Sequence, residues 1–505
     1  MSTSTRPPTR WQSRIVTLLC IQLAFALLPL SFVITLVTWL QSHICGTLLS
    51  QRRAQRKPWH HTVLINGARA SKALVLARAF ARAGHRVILA EESPYAAVCP
   101  ARFSGAVDAF IALPDAARGP ENYQEALRAL IQKEKVTLFV PCSTGGATLD
   151  DARVADRLRA EGPRVEAWIP TEAMAATLHE KDRFMALCSR LGVPAPLSKH
   201  VSSVEEALEF LYAGEAFGHT FVLKSVRFGD DDDGRAQRVL LPLASRDTTR
   251  EHLERLHVPL SKDAPYVLQR FIDGREMCSH GLVRMGQLRA FVCCPGSDMI
   301  MRYADVRTAW PDGERLSAMA EQWTADFLRR WAHEADADAK HMTGHFSFDF
   351  IYDAREDVLY PIECNPRAHS AVTLFSSVGR AYADAHIAPE QADVVRPRDG
   401  EPAHIWLAHS LPYALARHLL PSWLHPSLAL SRRVPHDDAA WSPGHSETAL
   451  HLLLDRDARD AQWDADDPWP WFALAHVHWP WLLAIWGWRG WSRVNVSTSR
   501  FFFLS

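Results

Sequence analysis

Glu363-Cys364-Asn365-Pro366-Arg367 follows an apolar run, Val358 to Ile362, that reads as a buried strand. Alternate side chains of a strand point the same way, so Glu363 and Asn365 share a face and Cys364 looks away. A carboxylate and an amide oxygen side by side are hard oxygen ligands, suited to Mg2+. Upstream, His345-Phe346-Ser347-Phe348-Asp349-Phe350-Ile351 alternates in the same way and offers a second carboxylate. Two strands presenting Asp349, Glu363 and Asn365 could hold Mg2+, or Mn2+ in its place, against a nucleotide triphosphate; solvated edge groups are the plainer alternative. Lys224 ends the buried-type run Phe221 to Leu223, where an ammonium must meet an anion or be costly to bury. A triphosphate supplies that anion.

The elements that must carry these groups begin with a βαβ unit. Thr62 to Asn66 reads as a strand, Gly67 as a turn, Lys72 to Ala83 as an amphipathic helix ending at Gly84, and Arg86 to Ala90 as a parallel strand. One glycine, Gly67, is too few for a dinucleotide fingerprint. Val136 to Pro141 reads as another buried strand, ending in Cys142-Ser143-Thr144-Gly145-Gly146. Loops after strand C-termini are where open α/β sheets bind ligands, so Ser143 is a candidate substrate contact; a plain turn is the equal alternative.

The Glu-x-Asn-Pro-Arg stretch resembles the metal-binding end of the ATP-grasp ligases, a superfamily that includes D-alanine–D-alanine ligase, biotin carboxylase and carbamoyl phosphate synthetase. Other parts follow in the order the resemblance implies. Leu178-His179-Glu180-Lys181-Asp182-Arg183-Phe184, then Leu191-Gly192-Val193-Pro194-Ala195-Pro196, is similar to the family's lysine-bearing helix and the strand after it. Phe221-Val222-Leu223-Lys224-Ser225 is similar to its second lysine strand. Val267-Leu268-Gln269-Arg270-Phe271-Ile272-Asp273-Gly274-Arg275-Glu276 is similar to the hinge that holds adenine and ribose. Three phrases resemble, more narrowly, the mycosporine-glycine synthases: Gly274 to His280, Gly286-Gln287-Leu288-Arg289, and Ile362 to Thr373.

The resemblance implies an α/β (α+β) ATP-grasp fold. A hydrophobic segment with basic flanks would occupy 1–57, a βαβ pre-grasp domain 58–175, the two grasp subdomains 176–395 with a hinge near 269–276, and a Trp-rich extension 396–505. It implies ATP with Mg2+, Lys181 and Lys224 on the α- and β-phosphates, and backbone groups of Gln269 to Ile272 on the adenine edge. Glu276 would accept from ribose hydroxyls; a strand surface carboxylate is its plain alternative. Ser347 stands where many carboxylate-activating relatives have arginine, so Arg289 and Arg367 are the candidates to neutralise a moving phosphoryl group. His369 is a candidate acceptor contact. The loop Phe228 to Arg235 holds four consecutive aspartates, which would repel a triphosphate and read better as a solvated run. The partners implied are a cyclic enol, 4-deoxygadusol, and an amino acid such as glycine, with a second copy of the chain left open. A carboxylate–amine ligase is the first rival reading, and a membrane-tethered ATP-binding module without turnover the second.

A net charge of −1 gives no general field toward nucleic acid. Nine cysteines without a Cys-x-x-Cys pair suit a reducing compartment, and ATP dependence would place the catalytic part in the cytoplasm. Ile15 to Leu40 is a nearly uncharged apolar run, long enough at about 1.5 Å per residue to span about 30 Å of hydrocarbon. Arg6, Arg10 and Arg14 precede it, and Arg52, Arg53, Arg56 and Lys57 follow. Pro29 would kink a span or turn a re-entrant hairpin, and the two basic flanks suit the hairpin somewhat better. A buried core helix is the plain alternative. Trp469 to Trp491 holds seven tryptophans, expected either on a membrane surface or packed on the N-terminal segment, with an ordinary aromatic core as the alternative.

Overall fold

The computed structural model describes residues 10–44, 61–225, 239–408 and 457–502, apart from 94, 144, 257, 297–301, 335–337, 390–392, 490–492 and 496–499. The aspartate loop 228–235, the flanking Arg6 and Arg52 to Lys57, and Trp491 lie outside them.

Val63, Leu64 and Ile65 are wholly buried, as a strand covered on both faces requires. They form β1 (Thr62–Ile65), the centre of a parallel sheet. With β2 (Arg86–Glu92), β3 (Ala109–Leu113), β4 (Leu138–Val140) and β5 (Glu166–Ala167) the order is β3-β2-β1-β4-β5. The order reverses at β1 and β4, so their C-terminal ends form the crevice where such sheets take ligands. Gly67 turns the chain there at φ +65°, and a Cβ on it would stand 2.7 Å from the backbone of Cys142. Gly67→Ala is therefore expected to cost roughly 2–4 kcal/mol, the sum of a left-handed backbone and a clash with main chain. A urea midpoint within error of wild type would refute this.

Two antiparallel sheets follow. In the smaller, β6 (Ser198–Val201) and β7 (Phe221–Ser225) flank β8 (Tyr266–Arg270). The larger is built from β9 (Arg275–Arg284), β10 (Gln287–Pro295), β12 (Gly344–Asp353) and β13 (Val358–Asn365), in the order β10-β9-β12-β13. The short β11 (Arg302–Tyr303) pairs instead with β14 (Ala403–Ile405), which carries β15 (Ala458–Asp460). The architecture is thus α/β, as the resemblance implied.

Alternation decides what each face of the large sheet does. Phe346, Phe348, Phe350, Met277 and Cys364 enter a core with Trp323 and Phe327 of the helix Gly313–Trp331. Cys278, Leu282 and Val292 enter another, shared with β1, β2, β4 and the helix Ser71–Arg82. The parallel body and the large sheet therefore pack as one unit, and the polar residues between the phenylalanines face the body. Cys293 and Cys294, adjacent in sequence, point into the two different cores. All eight described cysteines are free and buried.

Arg10–Ile44 is one helix, continuous through Pro29; the hairpin expected from its flanks is not formed. Helices Trp469–Ala473 and Trp479–Trp486 pack along it. Phe32 and Trp39 meet the Trp469 ring edge-on at 6.1 and 6.4 Å. Ala24 O accepts from His476 at 2.8 Å, and Arg14 Nε donates to Trp488 O at 3.0 Å. The described part of the tryptophan cluster packs on the N-terminal segment, and Trp479 also enters the core shared with the parallel body. The cluster also ties to the parallel body, through Trp481 against Tyr95 and, just before the cluster, Asp467 on Arg78.

Candidate active site

Ser347 and Asp349 project from β12 on the side opposite the phenylalanines. In register, Asp349 stands directly across from Glu363, and Ser347 from Asn365. On the other flank Asp349 faces Cys278 and Ile351 faces Glu276, which brings Glu276 to the same face. Asn365 Nδ2 donates to Glu363 Oε1 at 3.3 Å, and Lys181 Nζ lies 3.6 Å from Glu363 Oε2. Lys181 opens the helix Lys181–Arg190, which is separated from Glu172–His179 by a break at Glu180.

Charge is unevenly shared across this pair. Burial, then the neighbouring Glu363, holds Asp349 well above the usual carboxylate range. Burial pushes Glu363 upward too, but Lys181, a hydrogen bond from Asp349, Lys224 and Asn365 outweigh it and bring it down to about 2. The pair is thus pushed in opposite directions, Asp349 toward its protonated form and Glu363 toward its ionised one. Two carboxylates forced together are the arrangement a divalent cation relieves. Among the described residues no group of three or more His, Cys, Asp or Glu gathers as a protein-only metal centre. Two carboxylates and an amide suffice for Mg2+, which keeps water and phosphate among its ligands. The donor set fits Mg2+.

The small sheet supplies the opposite wall. Leu223 and Leu268 are buried in its own core, so Lys224 and Gln269 take the other face. Lys224 Nζ donates to Gln269 Oε1 at 2.5 Å, and Gln269 Nε2 meets Met185 Sδ at 3.2 Å. Gln269 lies within β8, paired with Ser198 and with Val222, so the sheet engages its backbone and its side chain is what faces the cleft. Ile272 is buried in the following connection. Glu276 is exposed, and Gly296 lies against its side chain: a Cβ there would sit 3.0 Å from Glu276 Cβ and Cγ.

Two expected residues, Arg289 and Ser143, stand otherwise. Arg289 lies five residues before Cys294, the partner of Cys278. It is therefore about 16 Å along the sheet from the carboxylates, at about 3.3 Å per residue. It donates to Pro389 O at 2.9 Å, and the structure does not bring it to Asp349. Ser143 donates to Asp151, inside a buried network in which Asn66 and Tyr123 also reach Asp151 at 2.7 Å. Burial holds that carboxyl up at about 7. Ser143 there serves the crevice wall. Arg367 follows the carboxylates on a tight turn, its N–H donating to Asn365 O at 2.8 Å and its carbonyl accepting from Ser347 Oγ at 3.2 Å. Ser347 holds that turn. His369 caps the helix Ser370–Val378 by accepting from Ala371 N–H at 3.3 Å, and burial, then Lys72 and Arg367, lowers it to about 3.

Sequence reasoning missed Lys72, which donates to Ala368 O at 2.6 Å from the parallel body. It also missed a layer of histidines between that body and the large sheet. His280 and His345 stack at 5.2 Å, His345 and His386 meet at 5.3 Å, and all three are 1% exposed or less. His280 shares a hydrogen bond with Tyr382 at 2.8 Å. Burial lowers all three, His386 to about 3. Their folded values lie below the unfolded value of about 6.5, so the unfolded chain takes up protons first as pH falls. Stability is expected to be full above about pH 7 and to decline below it, by up to roughly 1.4 kcal/mol per pH unit for each ring. Urea midpoints at pH 7.5 and 5.5 would show the decline, and His386→Phe should flatten it. Equal slopes in the two proteins would refute the assignment.

No family model matches the chain. Its sequence is similar to the C-terminal section of the carbamoyl phosphate synthase large chain of Methanopyrus kandleri, 26% identical over 287 residues, covering 54% of this chain and 49% of that protein. The chain spans about half the length of this curated relative. Carbamoyl phosphate synthetase is one of the ATP-grasp ligases that the motifs resemble, and the match supports that superfamily. Among solved structures, biotin carboxylase of Campylobacter jejuni is similar at a TM-score of 0.47 and 15% identity, over 66% of this chain and 72% of that one. Phosphoribosylamine–glycine ligase of Thermotoga maritima is similar at 0.45 and 14%, over 68% and 78%. At these TM-scores the fold stands on its own strands and registers.

Proposed function

We propose that this chain is an ATP-dependent ligase of the ATP-grasp kind that phosphorylates a cyclic enol, 4-deoxygadusol, and condenses it with glycine to mycosporine-glycine, ADP and phosphate. One observation carries the reading: Asp349 and Glu363 are register partners facing a cleft whose other wall presents Lys224. The sequence match to a carbamoyl phosphate synthase supports ATP-dependent ligase chemistry. The phrases Gly274 to His280 and Ile362 to Thr373 support the narrower substrate.

MgATP would supply an activated phosphoryl group, held by Asp349, Glu363 and Asn365 through the ion and by Lys181 and Lys224 through the phosphates. This chain's own residues then do the positioning. Glu363 is ionised and paired with Lys181 before any nucleotide arrives. Gln269 orients the Lys224 ammonium. Arg367, on the turn after Asn365, is the guanidinium placed to meet charge on the acceptor side. The acceptor is a vinylogous carboxylic acid. Its enolate oxygen takes the phosphoryl group, the bond to ADP breaks, and glycine's amine later displaces phosphate.

We further infer that the catalytic body is attached to lipid from one side, on the cytoplasmic face. By length and composition Arg14–Ile44 is apolar enough to cross a membrane, and only 17% of its most apolar stretch is buried. Its contacts with the body run from Arg14 to Trp39, which supports a helix lying along the body.

Incubation with ATP, Mg2+, 4-deoxygadusol and glycine, followed by mass and absorbance, tests the reaction. Product that vanishes in Asp349→Ala upholds it. Phosphate release driven instead by a carboxylic acid with an amine would replace the enol by an amide-forming acceptor.

A further inference from the structure

Lys72 takes no part in the chemistry above. It is the second residue of the helix Ser71–Arg82 and 4% exposed. Its ammonium reaches from the parallel body to Ala368 O, on the turn that leaves β13. That acceptor is neutral. Among the described residues Lys72 has no carboxylate partner. An ammonium offers three donors, and one buried against a lone carbonyl is costly. Its surroundings add to the cost. Burial lowers Lys72 to about 8, with Cys142 opposing and Arg367 repelling it. His369, next to Ala368, is held neutral beside both cations. Positive charge therefore gathers at the mouth of the β1/β4 crevice, three residues past Asn365. Glu363 also acts on His369 but is paired with Lys181, so an anion in the crevice would meet Lys72 and Arg367 together.

We propose that Lys72, with Arg367, is the binding point for the acceptor's anion, a delocalised enolate or carboxylate oxygen held between the crevice and the carboxylate pair. The inference rests on the ligase reading and says how the acceptor is held. An acid of this kind reaches the site ionised. Two cations keep its nucleophilic oxygen unprotonated, and Lys72 exchanges no proton. The rings of Tyr303 and His369, perpendicular at 5.3 Å, stand beside the turn as a wall for a flat carbon skeleton.

The test uses the full chain with Lys72→Met and Lys72→Arg. In Lys72→Met the KM for the acceptor should rise at least tenfold, with the KM values for ATP and amine within twofold of wild type. Its thermal midpoint should match or exceed wild type, because a buried charge is gone. Lys72→Arg should recover part of the acceptor affinity. An unchanged acceptor KM, or an equal loss for all three substrates with a lowered midpoint, overturns the proposal. If wild type makes no adduct from 4-deoxygadusol, the narrower ligase reading falls by itself. The anion site is then read with the enolate of dimedone, a cyclic 1,3-diketone, by thermal midpoint. A rise in wild type that Lys72→Met loses upholds the site; no rise, or the same rise in both, overturns it.

Discussion

Asp349→Asn is expected to lower kcat by about a thousandfold and to make the protein without nucleotide more stable at alkaline pH. The first effect follows from losing one of two carboxylates at the proposed phosphoryl-transfer site, where removing a single electrostatic contact costs roughly 10²–10³ in rate. The second follows from the pairing with Glu363. Asp349 keeps its proton in the folded protein well above the unfolded value, because burial and Glu363 oppose its ionisation. A group whose folded pKa is raised contributes stability at low pH and loses it as pH rises through the folded value. Asparagine has nothing to lose, so the variant's stability curve should be flat where wild type falls. A variant that is inactive and also less stable at pH 8.5 would mark Asp349 as a packing residue.

The same proton links metal to pH. Divalent cation binding must displace it, so Mg2+ affinity should climb with pH, by up to about one log unit per pH unit while Asp349 is protonated. Calorimetry in two buffers of different ionisation enthalpy reads the released proton directly. Glu363 has the opposite sign. Lys181 and its other partners bring it to about 2, so its contribution is present above the unfolded value of about 4.3 and fades only as pH falls toward 2.

Alternation made these carboxylates legible. Phe346, Phe348 and Phe350 on one side of a strand require Ser347 and Asp349 on the other, whatever the strand packs on. Cys364 between Glu363 and Asn365 says the same of β13. Lys224 was legible for a similar reason, since Leu223 must face a core. Arg289 was not, because a face says nothing about distance along a sheet, and the irregularity between Leu288 and Ala290 shifts its register. Lys72 was hidden more deeply. It reads as an ordinary helical lysine until a turn 296 residues away is folded against it. The histidines of the layer come from β9, β12 and the helix Gly379–Ile387, so no local pattern joins them.

Leu30, Val33 and Val37 changed together to aspartate should move the protein from vesicles into solution, with turnover in detergent unaltered. The argument is geometric. Thr17, Cys20, Ala24, Thr35 and Ser42 are the buried side of Arg10–Ile44, and they recur at helical spacing. Leu30, Val33, Val37, Leu40 and Ile44 recur at the same spacing on another side and are 41–80% exposed. Five large apolar side chains in one stripe exceed what scattered surface residues leave bare, and Trp11, Leu18 and Phe25 form a separate exposed row nearer the N-terminus. Burying a Leu or Val side chain is worth roughly 1.5–3 kcal/mol, so losing three should weaken binding to phosphatidylcholine vesicles at least about a hundredfold. The carboxylate pair is carried by β12 and β13, whose strand neighbours are β9 and each other, so kcat should hold. Wild type that stays in the supernatant with vesicles, yet associates with itself in their absence, would assign the stripe to a second copy of the chain. Release by salt alone would point instead to the basic residues, because an apolar stripe is not screened.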